Sequence, residues 1–261
     1  MKPEFLLLAG WLSIQALGAQ TAAPTVDQIL ARVQTNTGQF EASLPDFTCD
    51  ETIVARRIEH GVMARDGSAE SHFTGLQKAS GRMSFTESRE YVTINGAPAV
   101  KGQRLGGAFL FEGAFSSLLD GTFSTRAALF HDYQIAGREK CNNRPALVIK
   151  FATKRGQSGL RAEWGGRTMV QRDRGTAWID EETLQVLRIE RRFMNLPPGW
   201  LGLVARVNYG AVTIDGKPFW MPIEVEAERS SIDNVSREYR AEYRNYRKFE
   251  VSSGISFQPQ P

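Results

Sequence analysis

The side chains that could hold a metal ion or act as a catalytic base are few and scattered in this sequence. The three histidines are His60, His72 and His131, and the two cysteines are Cys49 and Cys141. A structural zinc site needs about four ligands at recognisable spacings, which these residues do not supply. No Gly-x-Ser-x-Gly nucleophile motif occurs, and spacing alone names no acid–base partner for His72 or His131. We therefore predict no catalytic, metal or cofactor site.

The first residues indicate export. Lys2 precedes the apolar stretch FLLLAGWLSIQALGA, and the small residues that end it permit cleavage after Gly18 or Ala19. This order is typical of a secretory signal peptide, and the alternative of a membrane anchor is disfavoured because the apolar run is short and interrupted. We predict a signal peptide at residues 1–19 and a single domain at residues 20–261, soluble after cleavage and either periplasmic or secreted.

In an exported chain, a pair of cysteines suggests one disulfide. Cys49 follows the predicted N-terminal helix, and Cys141 lies in the turn KCNNRP between two strand candidates. We expect these two residues to be joined, with two buried free thiols as the alternative.

Composition places the chain among ordinary globular proteins. It has 261 residues, of which 41% are hydrophobic and 23% are charged, and its formal net charge is +3. Because Lys and Arg barely outnumber Asp and Glu, a nucleic-acid partner is not indicated. We expect a monomer.

Hydrophobic periodicity predicts one helix followed by many strands. Thr25 and Gln28 have the spacing of a capping box, and apolar residues follow at helical intervals until the helix ends before Pro45. From Asp50 onward the apolar residues alternate with polar ones, which is typical of strands with one buried face. Turn signals such as Asp215-Gly216 separate these strands.

One region interrupts the strand pattern. Phe115, Leu118 and Leu119 recur at helical spacing up to Asp120-Gly121, where we expect the helix to stop, and a second short helix is predicted from Ser124. Such helices can cover the apolar face of an open sheet. They would be either a mobile lid over a ligand or permanent core.

The hairpin GTAWIDEETLQVLRIE, residues 175–190, resembles the LolA/LolB-type half-barrel proteins, a superfamily of lipoprotein-sorting and lipid-carrier proteins. Trp178, Ile179 and Asp180 match the strand that ends in an aromatic-apolar-Asp step, and Arg188 matches the arginine of the next strand. The segment YGAVTIDGKPFWMPIEVE is similar to the strand pair that follows, with an apolar-Pro step at Met221-Pro222.

This resemblance implies a mainly β (α+β) fold. The expected fold is a strongly curved antiparallel sheet that forms a half-open barrel, with an N-terminal helix and short helices on its concave face. It also implies an apolar small molecule or a lipid acyl chain as the ligand. The candidate groove residues are Phe109, Phe111, Phe115, Leu118, Leu119, Phe123, Leu129, Phe130 and Trp178.

The loop FMNLPPGWLGL could rim the mouth of such a groove or dip into a membrane surface, which suits the amphipathic ring of tryptophan. Its candidate residues are Met194, Leu196, Trp200 and Leu201. The alternative is a strand connection folded onto the sheet.

We therefore expect an exported protein that binds or carries a lipid or another apolar ligand, with peripheral membrane contact as a further interaction that this loop could make. The alternative is a sensing or scaffolding module of the cell envelope whose groove is filled by its own side chains. An enzyme built on this scaffold is the least favoured of the three hypotheses.

Overall fold

We describe a computed structural model of the chain that covers residues 24–77, 85–105, 110–111, 113–115, 117–156, 161–164 and 167–250. The predicted signal peptide and Phe109 lie outside these ranges. No helix within them is long and apolar enough to cross a membrane.

The first element is helix α1, Val26–Ser43. The predicted capping box is confirmed: the Thr25 side chain accepts a hydrogen bond from the Gln28 backbone, and the Gln28 side chain accepts one from the Thr25 backbone. These bonds satisfy backbone donors that the first turn of a helix leaves open. Ile29, Leu30 and Val33 form the buried side of the helix, which ends ahead of Pro45 because the residue before a proline disfavours helical backbone.

Thirteen strands and two further short helices follow α1 in the described residues. The helices are α2 (Ser117–Phe123) and α3 (Thr125–Phe130). The strands are β1 (Phe47–Glu59), β2 (Val62–Gln77), β3 (Phe85–Ile94), β4 (Ala97–Pro98), β5 (His131–Cys141), β6 (Arg144–Thr153), β7 (Arg161–Trp164), β8 (Arg167–Val170), β9 (Asp173–Asp180), β10 (Val186–Phe193), β11 (Trp200–Ile214), β12 (Lys217–Ser231) and β13 (Val235–Lys248).

Eleven of these strands form one antiparallel sheet in the order β4-β3-β2-β1-β13-β12-β11-β10-β9-β6-β5, and β7 pairs with β8 in a separate hairpin. The edge strands β4 and β5 are not neighbours in this order, so the curved sheet stays open. The predicted fold class, a mainly β half-open barrel with an N-terminal helix and short covering helices, is confirmed.

Tight turns with left-handed backbone connect several of the hairpins. Both central residues have positive φ at Asn95-Gly96, at Asn142-Asn143 and at Asp215-Gly216. This is the geometry of type I′ turns, whose twist matches that of the flanking strands. The turn signals read from the sequence at these three places are therefore confirmed.

The described residues between the two edge strands, 99–105, 110–111, 113–115 and 117–130, are here called the strap, which contains α2 and α3. Ser124 caps α3 as its position predicted, because its side chain accepts a hydrogen bond from the Ala127 backbone. The predicted stop at Asp120-Gly121 is wrong, since α2 continues to Phe123. At Gly121 a Cβ atom would lie 2.7 Å from the Arg191 guanidinium. This glycine therefore lets the Arg191 side chain approach the helix closely and does not mark the end of the helix.

The sheet has two unlike faces. The face under α1 and the strap, here called the inner face, carries the main buried cluster, which includes Ile53, Ile149 and Val225. The opposite, outer face carries mostly charged side chains and a small apolar cluster around Cys141, Ala146 and Leu187.

The predicted disulfide is wrong, because Cys49 and Cys141 are both free and both buried. Cys49 lies on β1 in the main cluster of the inner face, whereas Cys141 ends β5 and belongs to the small cluster. Six strands separate β1 from β5 in the sheet. At about 4.8 Å per strand, this separation far exceeds the Cα spacing of roughly 4–7 Å that a disulfide needs.

We expect both thiols to be unreactive until the protein unfolds. Burial raises the pKa of the Cys49 thiol and that of the Cys141 thiol, so the reactive thiolate is scarce in the folded state. Titration with a thiol reagent should find almost no fast reaction in native protein and two thiols after denaturation without a reducing agent. Finding no thiols in the denatured protein would contradict this assignment.

Candidate functional site

The strap crosses the inner face from one edge of the sheet toward the other. Near its start, the Leu105 side chain lies 3.3 Å from the position that a Cβ on Gly67 of β2 would occupy. Further along, Phe115 packs over the middle of the sheet, and Phe123 reaches Tyr133 on β5 with ring centroids 6.1 Å apart. The strap therefore closes the open side of the half-barrel by packing rather than by strand pairing.

An aromatic cluster lies under the centre of the strap. The Phe115 ring centroid is 4.7 Å from that of Phe73 on β2 and 4.9 Å from that of Tyr243 on β13. Phe47 and Tyr246 complete the cluster, with centroids 5.3 and 6.5 Å from Phe115. Buried aromatic pairs at such distances each contribute about 0.5–1.5 kcal/mol beyond their area burial, so Phe115 is a main anchor of the strap.

A buried carboxylate stands next to this aromatic cluster. Glu51 on β1 accepts hydrogen bonds from Ser71 (2.7 Å), Tyr243 (2.9 Å) and Tyr239 (3.2 Å), and it forms an ion pair with Arg89 on β3 at 2.8 Å. The Arg89 guanidinium lies 5.0 Å from the centroid of the Phe73 ring. This arrangement satisfies a charge that would otherwise be very costly to bury.

A second buried charged cluster lies below α2 and α3. Asp173 on β9 accepts hydrogen bonds from His131 Nε2 and from Arg191 Nε, both at 2.6 Å. His131 Nδ1 faces the Ala127 carbonyl at 3.0 Å, and Arg191 Nη2 donates to the Gly121 carbonyl at 3.1 Å. Both His131 nitrogens therefore contact protein oxygens, so the ring bridges the sheet and α3.

The surroundings of these clusters shift the pKa values of Asp173, Tyr239 and Tyr243. Burial alone raises the pKa of the Asp173 carboxyl, but the hydrogen bond from His131 and the charge of Arg191 outweigh it and hold that pKa well below its usual range. Burial raises the pKa of Tyr239 and that of Tyr243, and the nearby Glu51 charge raises both further. Asp173 therefore stays ionised at neutral pH, and the two tyrosines stay protonated as donors.

Most of the predicted groove residues that the structure describes face the sheet. Five are buried in the main cluster: Phe111, Phe115, Leu118, Leu119 and Phe123. Phe130 is half-buried. A cavity between α1, Leu119 and the turn after β9 measures only about 10 Å³, close to the minimum for a single water. An open depression of about 430 Å³ lies between α1, α3 and the start of β5.

Two groove assignments are wrong. Leu129 is 63% exposed because it lies on the side of α3 that faces away from the sheet. Trp178 belongs to the outer-face cluster, where its ring stacks with Arg188 and its Nε1 donates to Glu139 at 3.0 Å. Strand alternation explains the second error, since Trp178 lies between Ala177 and Ile179, which both point to the inner face.

The four loop candidates divide into two pairs. Met194 and Leu201 are exposed, at 53% and 66%. Leu196 and Trp200 are half-buried against the main cluster, and Arg229 lies 4.4 Å from the centroid of the Trp200 ring. The loop therefore presents two apolar side chains to solvent while the other two attach it to the sheet.

The outer face contains an open depression of about 490 Å³, but it suits an apolar ligand poorly. Arg206 forms ion pairs with Glu190 and Glu226, both at 2.7 Å, and Arg240 pairs with Glu224 at 2.6 Å. These alternating charges balance one another across neighbouring strands. Within the described ranges, no group of His, Cys, Asp and Glu could hold a metal ion.

The sequence did not reveal the two buried charged clusters. Arg89 belongs to the polar run 86–90 on β3, a composition typical of an exposed face, yet its side chain is only 8% exposed. One signal was present: Glu51 alternates with Cys49 and Ile53, so it occupies an apolar position where a charge needs a partner. Arg191, between Ile189 and Phe193, follows the same rule.

Comparisons with known proteins give matches of fold only. No protein-family model matches the sequence, and no curated protein matches it. A solved domain from Vibrio parahaemolyticus, named for outer membrane lipoprotein sorting, is 11% identical with a TM-score of 0.45, and the match covers 84% of this chain and 91% of that one. The LolA superfamily protein from Nitrosomonas europaea is 11% identical with a TM-score of 0.37, covering 88% of this chain and 96% of that one.

The MucA/MucB complex of Pseudomonas aeruginosa provides a third match, 11% identical with a TM-score of 0.25 and covering 82% of this chain and 94% of that one. The matches thus include a protein of the LolA superfamily, the group that the hairpin at residues 175–190 resembles.

We expect Asp173→Asn to lower the free energy of unfolding by about 3–5 kcal/mol, because it leaves the Arg191 charge buried without its counter-charge. The matched control is Asp132→Asn, which changes an exposed neighbour of His131 and should cost less than about 0.5 kcal/mol. Urea denaturation at pH 7 measures both. Equal stability of the two variants would contradict the anchoring role of Asp173.

The Asp173 carboxyl should also make the free energy of unfolding depend on pH. Since the folded-state pKa of Asp173 is lowered from the ordinary value of about 3.9, ionised Asp173 stabilises the fold above that value. This stabilisation is lost as the pH falls from about 4 toward the folded-state pKa. Below pH 4, unfolding free energy should therefore fall more steeply in the wild type than in Asp173→Asn. Parallel curves would contradict the assignment.

Proposed function

We propose that this protein is an exported single-domain binding protein, residues 20–261 after removal of a signal peptide, that takes up a lipid acyl chain or another apolar ligand between the strap and the inner face. The observation that carries the proposal is the strap itself, which covers a large apolar face with Phe and Leu side chains on two short helices. A ligand of the same chemistry can replace these side chains without exposing the sheet to water.

The polar contacts of the strap support displacement in one piece. Arg191 donates to the Gly121 carbonyl and Tyr133 donates to the Thr122 carbonyl, while the Glu87 carboxylate accepts from the Gly113 backbone at 3.0 Å. Each bond ends on strap backbone, so it can break when the strap lifts while the buried ion pairs Arg191–Asp173 and Arg89–Glu51 remain intact in the sheet.

A second candidate function is an interaction module of the cell envelope with a permanently filled groove. The close packing of the strap on the inner face favours it, since Phe115, Leu118 and Phe123 are all buried in the main cluster. In this alternative the protein partner binds elsewhere and the strap is core.

Peripheral membrane contact through the loop after β10 is part of the proposal. The exposed side chains of Met194 and Leu201 support it, because apolar side chains on a protruding loop can enter the interfacial region of a bilayer. No nucleic acid or cofactor is proposed, and we propose that the protein acts as a monomer.

We expect fatty acids to bind with an affinity that rises with chain length, because each additional buried CH₂ contributes about 0.8 kcal/mol. Displacement of a fluorescent fatty acid measures this series, and native mass spectrometry of gently purified protein should show a bound acyl ligand. Equal affinity across chain lengths and no bound ligand would favour the interaction module.

The variant Phe115→Ala tests where the ligand binds. Removal of the ring should cost about 3–5 kcal/mol of stability, but it should increase fatty-acid affinity because the ligand no longer has to expel the ring. Leu129→Ala, on the exposed side of α3, is the control and should change neither property. If a folded Phe115→Ala variant binds no more tightly than Leu129→Ala, the ligand does not bind beneath the strap.

A further inference from the structure

Four arginines lie side by side on neighbouring strands at one end of the inner face. Arg57 on β1 is paired in register with Arg65 on β2 and with Arg237 on β13, and Arg237 is paired with Arg229 on β12. We call this set the arginine row. Arg57, Arg229 and Arg237 alternate with buried inner-face residues of their own strands, for example Ala55 before Arg57. Arg65 is paired with Arg57, so all four side chains lie on the inner face beyond the main cluster.

The repulsion between these four positive charges destabilises the sheet unless an anion binds to them. Like charges directly opposite each other destabilise strand pairing, and nearby carboxylates offset the row only in part. Glu59 forms an ion pair with Arg57 at 2.6 Å, and the negative charge of Asp233 acts on Arg229. The charge of Asp233 also acts on Arg237. Two carboxylates thus face four arginines, so the row retains an excess of positive charge.

The repulsion within the arginine row affects the pKa of Arg229. Burial and the neighbouring charge of Arg237 lower the pKa of its guanidinium, even though the Trp200 ring offers its face at 4.4 Å. An anion bound between these side chains would remove the repulsion that the sheet imposes.

The strand turns at the same end of the sheet are unusually apolar. His60 donates to the Asn234 carbonyl and Ile232 donates to the Gly199 carbonyl, both at 3.0 Å, so the β1–β2 turn, the β12–β13 turn and the β10–β11 loop lie next to one another. These three connections and the first residues of the strands that follow them carry half of the ten large apolar side chains that are exposed in the described residues: Val62, Met63, Met194, Leu201 and Ile232. We call this group the apolar tips.

From these two features we infer that this end of the sheet docks on anionic lipid bilayers, with the apolar tips in the interfacial region and the arginine row bound to lipid phosphates. Guanidinium groups match phosphate because their planar forks donate two hydrogen bonds at once. Shallow apolar insertion and electrostatic attraction together provide the two signals that stable peripheral binding needs. The inference rests on the proposed membrane contact and names its lipid class and its cationic residues.

The experiment compares sedimentation of the full-length mature protein with vesicles of phosphatidylcholine alone and with vesicles that also contain phosphatidylglycerol. The wild type should bind the anionic vesicles more tightly, and the binding should weaken as salt is added. The double variant Arg57→Gln/Arg237→Gln should lose roughly 30-fold in affinity for them. The control Arg32→Gln/Arg244→Gln, with the same change of charge on exposed residues of α1 and of the far end of β13, should lose much less.

A second pair of variants tests the apolar tips. Leu201→Ser/Ile232→Ser should weaken binding to both kinds of vesicle, whereas Leu129→Ser on the strap should not. Absence of vesicle binding in the wild type would overturn both the membrane contact and the binding of the arginine row to lipid phosphates. Vesicle binding that both arginine double variants reduce equally would overturn only the role of the row.

The source of the phosphate is tested separately. If inorganic pyrophosphate binds to the wild type, is lost in Arg57→Gln/Arg237→Gln, and no vesicle binds, the arginine row recognises a soluble anion and the membrane inference is overturned. Phe115→Ala should bind vesicles like the wild type, so failure of the fatty-acid experiment and failure of this one are distinguishable.

Discussion

The packing of the strap on the sheet depends on the ion pair between Arg191 and Asp173. The open sheet leaves its inner face without a second sheet to cover it, so a segment with few hydrogen bonds to the strands must do so. Arg191 joins the two parts, because it is bound to Asp173 of the sheet and donates to the Gly121 carbonyl of the strap. His131 forms a second connection, because its ring contacts both Asp173 of the sheet and the Ala127 carbonyl of the strap. Gly121 has no Cβ, which lets the guanidinium reach the helix backbone.

The filling of the inner face explains how one fold could serve either a carrier or a module that binds other proteins. In the closed arrangement, Phe115 and the rings around it already provide the apolar contacts that an acyl chain would make. A ligand that entered beneath the strap would therefore have to make apolar contacts that exceed those of the rings it displaces.

Local pattern predicted most elements of this structure. Alternation and turn chemistry identified the strands and the type I′ turns, and capping residues located α1 and α3. Errors arose where a side chain depends on a partner distant in sequence. Trp178 was expected in the groove although it alternates with Ala177 and Ile179 of the inner face, and the disulfide was expected from export, the number of cysteines and their positions beside regular elements. Glu51 and Arg89 are 38 residues apart, and the arginine row forms from four strands, so no local spacing reveals either.

The pairing of β1 with β13 has a consequence for the order in which the chain can fold. Residues near the two ends of the described chain lie in the centre of the sheet, with Glu51 paired to Tyr243. A chain interrupted before Val235 would be left with a four-stranded piece and a six-stranded piece that share no hydrogen-bonded strand pair. Such long-range pairing slows folding, since the decisive contacts form only after almost the whole chain has been synthesised. Until then the exposed edges of β1 and β12 are open to pairing with other chains.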